Sequence, residues 1–398
     1  MLTAALSASC LRAQAGGVGT TAANFLKIPV GTKQIAMGDQ GVALPIDASS
    51  LNHNPANLNA LNYKQFSFEH NKWAEGVNQD YAAYAHPNLS IGSVGASLNL
   101  FRVGSFQGYD NAGGNAGDVT AQDMAATFGY ARHVWGLSDP DDGAGLAAGV
   151  SATAIKETLD NESASAFAGD VGALYHFNYK GALMHAGAAV RNMGQGLSYY
   201  GSAAPLPRTY AAGLSASTFL RGDPTTLSVE VRKPIDNSVS FSLGGEYWVN
   251  SLLGVRAGFV NSDDLGPGIR AGVGIKVKIV EFDYALSILG GFGITHRVGL
   301  TVRLGAPVDR TPGELTPNAK AAGKAVRRAR RLLAENRYLD SMLEINKALQ
   351  LDANSPEALE LLDKVQAQMK DIETPKVEAP KIETPASEAP KTEAPKTP

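Results

Sequence analysis

From Ile269 to Ile279 every second residue is apolar, and this alternation constrains the fold more than any other feature of the chain. Ile269, Ala271, Val273, Ile275, Val277 and Ile279 fall on one face; Arg270, Gly272, Gly274, Lys276 and Lys278 fall on the other. A period of two over that length predicts a β-strand with one oily and one polar side. The pattern returns in Leu227–Arg232, Leu253–Phe259, Glu281–Leu286 and Arg297–Leu304. Such strands run to about ten residues, longer than the usual five or six, which suits a tilted crossing of a membrane. A soluble antiparallel sheet alternates too. Here, however, the polar faces mix charges with many of the 43 glycines, as expected of a crowded, wet lumen, and no helical crossover separates the strands.

The predicted fold class is therefore all-β: a transmembrane antiparallel β-barrel of about 14 strands over residues 63–305. In lipid every backbone N–H and C=O must be paired internally, so such a sheet has to close. Short turns are expected at 86–89, 178–181, 220–225 and 250–252, and long loops at 103–120 and 194–207. Long loops then follow only odd-numbered strands, the parity of short periplasmic turns and longer outer loops. An even strand number puts both ends of the barrel on one side. This predicts a cell outer membrane location with the C-terminal region in the periplasm.

Four other regions flank the barrel. Residues 1–15 read as the remnant of an export signal whose true start lies upstream: they are apolar and end in Ala13-Gln14-Ala15, but lack a basic start. A lipoprotein site at Cys10 is the alternative, with Leu6 one position too far away. Residues 16–62 form a polar, turn-rich lead-in, either a hatch tucked into the lumen or an ordinary surface segment. Residues 316–371 carry helical spacing, with Ala325, Ala329 and Leu332 on one face, then Leu339, Met342, Leu343, Ile345 and Leu349, then Leu359, Leu361 and Val365 after Pro356. The run from Asn336 to Ala358 resembles one tetratricopeptide repeat; a plain helical hairpin with a spare helix is the other reading. Residues 372–398 repeat Pro, Lys and Glu and cannot bury a core, so a disordered tail is expected. Extended, it would reach roughly 80 Å, enough to enter a cell-wall mesh; a passive solvated tail is the alternative.

No enzyme site is apparent. The seven histidines are scattered without a metal-binding pattern, the single cysteine excludes an intramolecular disulfide, and no nucleophile elbow or nucleotide-binding βαβ context occurs. Neither cofactor nor metal is expected, and the net charge of −3 argues against nucleic acid as a partner. Glu281 and Asp283 could form a catalytic pair, but a lumen salt-bridge network is the simpler account. The charges expected to line the lumen are Glu230, Arg232, Glu246, Arg256, Arg270, Lys276, Lys278, Glu281, Asp283, Arg297 and Arg303. They serve either as structural ion pairs or as a selectivity surface.

The most specific motif lies in the lead-in: Gly31-Thr32-Lys33-Gln34-Ile35-Ala36-Met37-Gly38, Val42-Ala43-Leu44, Asp47-Ala48-Ser49-Ser50 and Asn54-Pro55-Ala56-Asn57-Leu58. Asn-Pro favours a turn, and Asp47 or Ser50 is placed to cap a short helix. With Val229-Glu230-Val231-Arg232-Lys233-Pro234, Gly244-Gly245-Glu246-Tyr247-Trp248, Arg256-Ala257-Gly258 and Thr295-His296-Arg297-Val298, this pattern resembles the PorV/PorQ family of FadL-like outer-membrane barrels. The resemblance spans roughly 16–304. It implies fourteen strands and an N-terminal hatch holding Gly38, Asp47, Asn54, Pro55 and Ala56. It also implies one of two non-catalytic roles. PorV-type relatives bind exported protein cargo and hand it on in type IX secretion, which would make secretion components partners. FadL-type relatives take up hydrophobic small molecules. Two departures stand out: the last strand ends in Leu304 instead of an aromatic residue, and the helical unit and tail lie outside the shared core. These two suggest a periplasmic or cell-wall partner and tilt the expectation towards secretion. A soluble periplasmic interaction scaffold is a third reading.

Overall fold

The structure is a computed structural model and describes residues 17–109, 111–137, 143–199, 201–261, 266–308, 317–351 and 355–373. The signal remnant over 1–15 and nearly all of the tail lie outside the described residues. Sixteen strands form: β1 (Lys64–Lys72), β2 (Asn78–His86), β3 (Ser93–Tyr109), β4 (Asn115–Gly136), β5 (Gly145–Leu159), β6 (Glu162–Tyr179), β7 (Ala182–Gly194), β8 (Leu197–Tyr199), β9 (Ser202–Ala204), β10 (Thr209–Leu220), β11 (Asp223–Pro234), β12 (Ser240–Val249), β13 (Leu253–Asn261), β14 (Ile269–Val277), β15 (Val280–Ile288) and β16 (Ile294–Leu304). All but β8 and β9 join in sequence order into one closed antiparallel barrel of fourteen strands, sealed by β1 against β16 with Lys64 facing Leu304. β8 and β9 make a small hairpin inside the long connection after β7.

The alternation read from sequence decides which side faces out. Val273, Ile275 and Val277 are 45%, 49% and 52% exposed, while Arg270, Gly272 and Gly274 on the opposite face are buried. Neighbouring strands repeat this, with Val255, Leu243, Val229, Phe282 and Val298 all outward. A largely apolar exterior around a closed sheet is the solution for a protein standing in a bilayer. It removes the reading as a soluble scaffold, because water would have to cover that belt.

Several boundaries differ from expectation. Lys278 and Ile279 lie in the two-residue turn between the paired Val277 and Val280, so Lys278 leaves the lumen set. Its φ of +54° is the turn's requirement. The turns Lys180-Gly181 and Arg221-Gly222 have positive φ at both residues, which glycine accommodates at the second. The expected loop at 103–120 is largely strand: Phe106 pairs with Val119 and Gly108 with Gly117. Alternation missed it because both of its faces are exposed there, so no apolar side marks the strand. The parity of loop lengths is accordingly weaker than expected. Only residues 110–114 join β3 to β4, whereas residues 137–144 join β4 to β5.

Strands β3 to β6 are 17, 22, 15 and 18 residues long against 9 to 13 for the other barrel strands, so one side of the wall rises at the end where β1 stops. The segment before β1 fills the lumen. It contains the short helix α1 (Thr32–Ala36) and 3-10 turns at Asn24–Lys27, Ala48–Asn52 and Pro55–Ala60. Nearly every residue from Val30 to Leu58 is buried, so the hatch alternative holds over the surface lead-in.

A separate helical unit comprises α2 (Pro317–Ala334), α3 (Tyr338–Leu351) and α4 (Pro356–Glu373). Ala325, Val326, Ala329, Ile345, Ala348, Ala358, Leu361 and Val365 share its core. The turn at Asn336 takes φ +59°, and Arg337 N–H closes on Leu332 O at 2.8 Å. Leu339, Leu343 and Leu359 are exposed, contrary to the helical stripe read for them. The packed α3 stripe is Tyr338, Met342, Ile345 and Leu349, and Leu339 and Leu343 sit one residue round from it.

Candidate functional site

The barrel glycines make the seat on which the hatch rests. Gly38 has a φ of +90°, and a Cβ there would lie 2.8 Å from Phe259 O and 2.9 Å from Leu243 O. From the wall side, a Cβ on Gly258 would fall 2.1 Å from Gly38 N and one on Gly244 2.0 Å from Met37 O. Hatch backbone and wall backbone therefore touch with no side chain between them, a contact only glycine allows. Gly244 and Gly258 are register partners, as are Gly187 and Gly213 against Val42, and Gly149 and Gly172 against Asn54 to Ala56. The lumen at this level is filled by chain packed directly on the glycines.

Charges lock the hatch to that seat. Lys33 Nζ lies 3.0 Å from Glu281, 3.3 Å from Asp47 and 3.8 Å from Asp283, all almost fully buried. Arg256 joins the cluster, at 2.6 Å from Glu246, 2.7 Å from Asp283 and 3.2 Å from Glu281, and Arg303 also pairs with Glu281. Arg256 reaches Asp283 across the strand between them because Gly274 leaves the way open; a Cβ there would lie 2.7 Å from the guanidinium. Trp248 lies beneath the Lys276 ammonium, 4.2 Å from ring centroid to nitrogen. Burial alone would lower the Lys33 pKa, but Glu281, Asp283 and Asp47 more than offset it and hold it above its ordinary value. Burial pushes Asp47 upward, yet Lys33 with the Ser49 and Gln34 hydrogen bonds brings it below the usual carboxylate range.

Three further wall charges grip hatch backbone. Glu230 accepts the N–H groups of Gly41 and Val42 at 2.8 and 2.9 Å. Arg297 pairs with Glu69 at 3.1 Å and donates to Pro29 O at 3.0 Å, while Glu69 accepts from Gly31 N–H at 2.9 Å. Arg270 pairs with Asp39 at 3.2 Å. Arg232 stays near Glu230 at 3.4 Å.

The hatch motif is held by its own caps. Asp47 caps the 48–52 turn by accepting Ser49 N–H at 3.0 Å, with Ser50 returning the capping box. Asn54 caps the 55–60 turn, with Pro55 at its first position, and accepts Ala56 N–H at 3.0 Å. Its amide also donates to Val42 O at 2.8 Å and to Ala173 O of the wall at 2.9 Å. His53 bonds Val30 O at 2.8 Å, and burial together with the charge of Arg191 pushes its pKa down to about 4, so it is neutral at pH 7.

The predicted lumen charges thus converge with the predicted hatch motif. Lys33, Asp39 and Glu69 were not singled out from sequence. Glu69 was visible on the polar face of Gln65, Ser67, Glu69 and Asn71; the other two lie in a segment without periodicity.

Beyond the hatch, at the raised end, a cavity of about 760 Å3 opens. Phe25, Ile28, Trp73, Phe101 and Leu289 supply its apolar surface, and Phe25 and Phe101 rings stand 6.3 Å apart. Asp123, Glu157, Arg191 and Arg232 supply its polar points. The hatch segment from Ala22 to Pro29 crosses its side, anchored by Ala22 N–H on Pro205 O at 2.9 Å and by Lys27 on Asp236 at 2.7 Å.

No protein-family model matches the chain, and no curated protein matches it in sequence. Several solved structures are similar. The toluene transporter TbuX of Ralstonia pickettii is 14% identical, with 70% of this chain and 99% of that chain covered and a TM-score of 0.48. The toluene transporter TodX of Pseudomonas putida is 12% identical over 69% and 96%, TM-score 0.44. A FadL homologue of Pseudomonas aeruginosa is 11% identical over 69% and 98%, TM-score 0.43.

Proposed function

We propose that the chain is a plugged outer-membrane channel that admits an apolar small molecule at its raised end and passes it when the hatch yields. The cavity of about 760 Å3, aromatic on its walls and closed below by the hatch, carries this reading. Its volume falls within the roughly 300–1,000 Å3 range of small-molecule sites. The same volume is too small for a folded protein domain. Binding of exported protein cargo, the other role implied by the PorV/PorQ resemblance, would need a surface outside this cavity. The hatch must move for passage, because wall glycines and hatch backbone are in direct contact around it.

Uptake of an apolar fluorescent tracer into liposomes holding the full chain tests the proposal. The E230A variant releases the hatch grip at Gly41 and Val42 and should raise uptake several-fold. Phe101→Asp places a charge in the cavity wall and should abolish it. Uptake by neither the wild-type chain nor E230A would remove the channel reading. A pull-down that recovers exported proteins from detergent extracts would restore the cargo reading in its place.

A further inference from the structure

The outer wall carries a polar cluster at the end of the β1–β2 hairpin, next to outward rows that are largely apolar. On its outward face, His296 of β16, Lys72 of β1, Asn78 of β2 and Arg102 of β3 stand side by side in register. The next outward row is Val298, His70, Asp80 and Leu100, and the one after it is Leu300, Phe68, Ala82 and Leu98. Asp80 accepts from His70 at 2.7 Å and pairs with Arg102; Tyr284 O–H meets His296 Nδ1 at 2.7 Å. Despite these bonds, the side chains of His70 and Arg102 remain 53% and 54% exposed. By contrast, every outward residue of β14 is apolar. An outward cation is costly deep in the bilayer and cheap near the interface, and at either depth an anionic partner beside it is favourable.

We propose that this face, across β16, β1, β2 and β3, binds a membrane lipid whose phosphate headgroup carries a net negative charge. Among the described side chains, Lys72 and Arg102 are two permanent cations against the carboxylate of Asp80, before either histidine protonates. Directly beside it lies a groove of about 510 Å3, with Phe68, Ala82, Leu98, Phe282, Val298 and Leu300 as its apolar lining and His70 and Asp80 at its end towards the cations. Ala82 forms its floor, since the residues on either side in its row are Phe68 and Leu98. Cations at one end of a groove for an acyl chain match the two halves of one lipid. Arginine and lysine are the side chains suited to phosphate, and the clustered geometry lets more than one of them donate to the same headgroup. The inference rests on the barrel standing in a bilayer and is independent of what the cavity carries.

Native mass spectrometry of the full chain in detergent, titrated with phosphatidylglycerol or phosphatidylcholine, tests it. The wild-type chain should retain phosphatidylglycerol about tenfold more strongly. K72Q/R102Q should bring the two lipids close to parity, at roughly threefold for each cation removed. D80N removes the competing carboxylate and should raise the preference for phosphatidylglycerol about fivefold, a gain that no loss of folding can mimic. Equal retention of both lipids by the wild-type chain, or a preference that D80N lowers, would overturn the proposal. So would a dimer that excludes lipid, because a second copy would then be the occupant of this face.

Discussion

Lys33 in the hatch lies 3.0 Å from Glu281 at the start of β15, and both side chains are only 1% exposed. Two charges this deep are tolerable only as partners. Removing one leaves the other unpaired and typically costs about 3–5 kcal/mol, even where replacing the whole network would be neutral. K33M should therefore loosen the hatch and leave the barrel closed. A brief protease pulse on the detergent-solubilised protein should cleave the hatch about a hundredfold faster than in the wild type, with the barrel fragment intact. Unchanged cleavage would mean that the glycine seat holds the hatch without the ion cluster.

Gly258 offers a steric test of that seat. A Cβ there would meet Gly38 N at 2.1 Å, with Met37 C at 2.2 Å, both backbone atoms that cannot swing aside. G258V should expel the hatch and raise tracer uptake, whereas G291A, whose Cβ would meet nothing within 4 Å, should leave both hatch and uptake as they are. If G258V kept the hatch protected from protease, the close backbone contact would not be what positions it.

How much of this was legible in the sequence depended on which physical signal each part leaves. β14 announced itself because one face meets lipid and the other the lumen, which forces apolar residues into every second position. Residues 106–109 and 115–119 pair as strands with both faces largely exposed, so nothing in their side chains marks them. Asp47 and Asn54 were readable as caps since capping is local, within three residues. Lys33 was not, because its partners Glu281 and Asp283 lie at the far end of the barrel sequence and meet it only after closure. The glycines were noticed on the correct face but for the wrong reason. Their composition is the same for a hydrated lumen and for one packed against backbone, and only the contacts decide.

His53 should make hatch seating sensitive to acid. Burial, aided by the positive Arg191, holds its folded pKa at about 4, below the 6.5 of an exposed histidine. The released hatch then binds more protons than the seated one between those values, so seating is strongest above pH 6.5 and weakens as the pH falls towards 4. A difference of that size is worth about 3 kcal/mol at full effect. Protease access to the hatch should rise from pH 7 to pH 5 in the wild-type chain. H53L, which cannot protonate, should show a flatter profile; a slope unchanged by H53L would assign the acid response to another group.

The outward belt yields the last prediction. Val273 is 45% exposed and has Val255 and Tyr284 as its register neighbours, so it sits in the middle of a lipid-facing patch. Replacing it with lysine puts an ammonium into that apolar patch. Near the bilayer midplane this costs about 2–4 kcal/mol, less if the chain can snorkel. Gly272, one residue away, faces the lumen instead, where a Cβ would lie 2.5 Å from the Ala36 methyl and 2.7 Å from Tyr284 O, so G272A strains the hatch seat and the wall beside it but puts no charge on the lipid face. Folding into lipid vesicles, followed by heat-dependent gel migration along a urea series, should show V273K shifted to lower urea than G272A. The opposite ranking would place Val273 against protein and not lipid, and the orientation of the whole wall would have to be reversed.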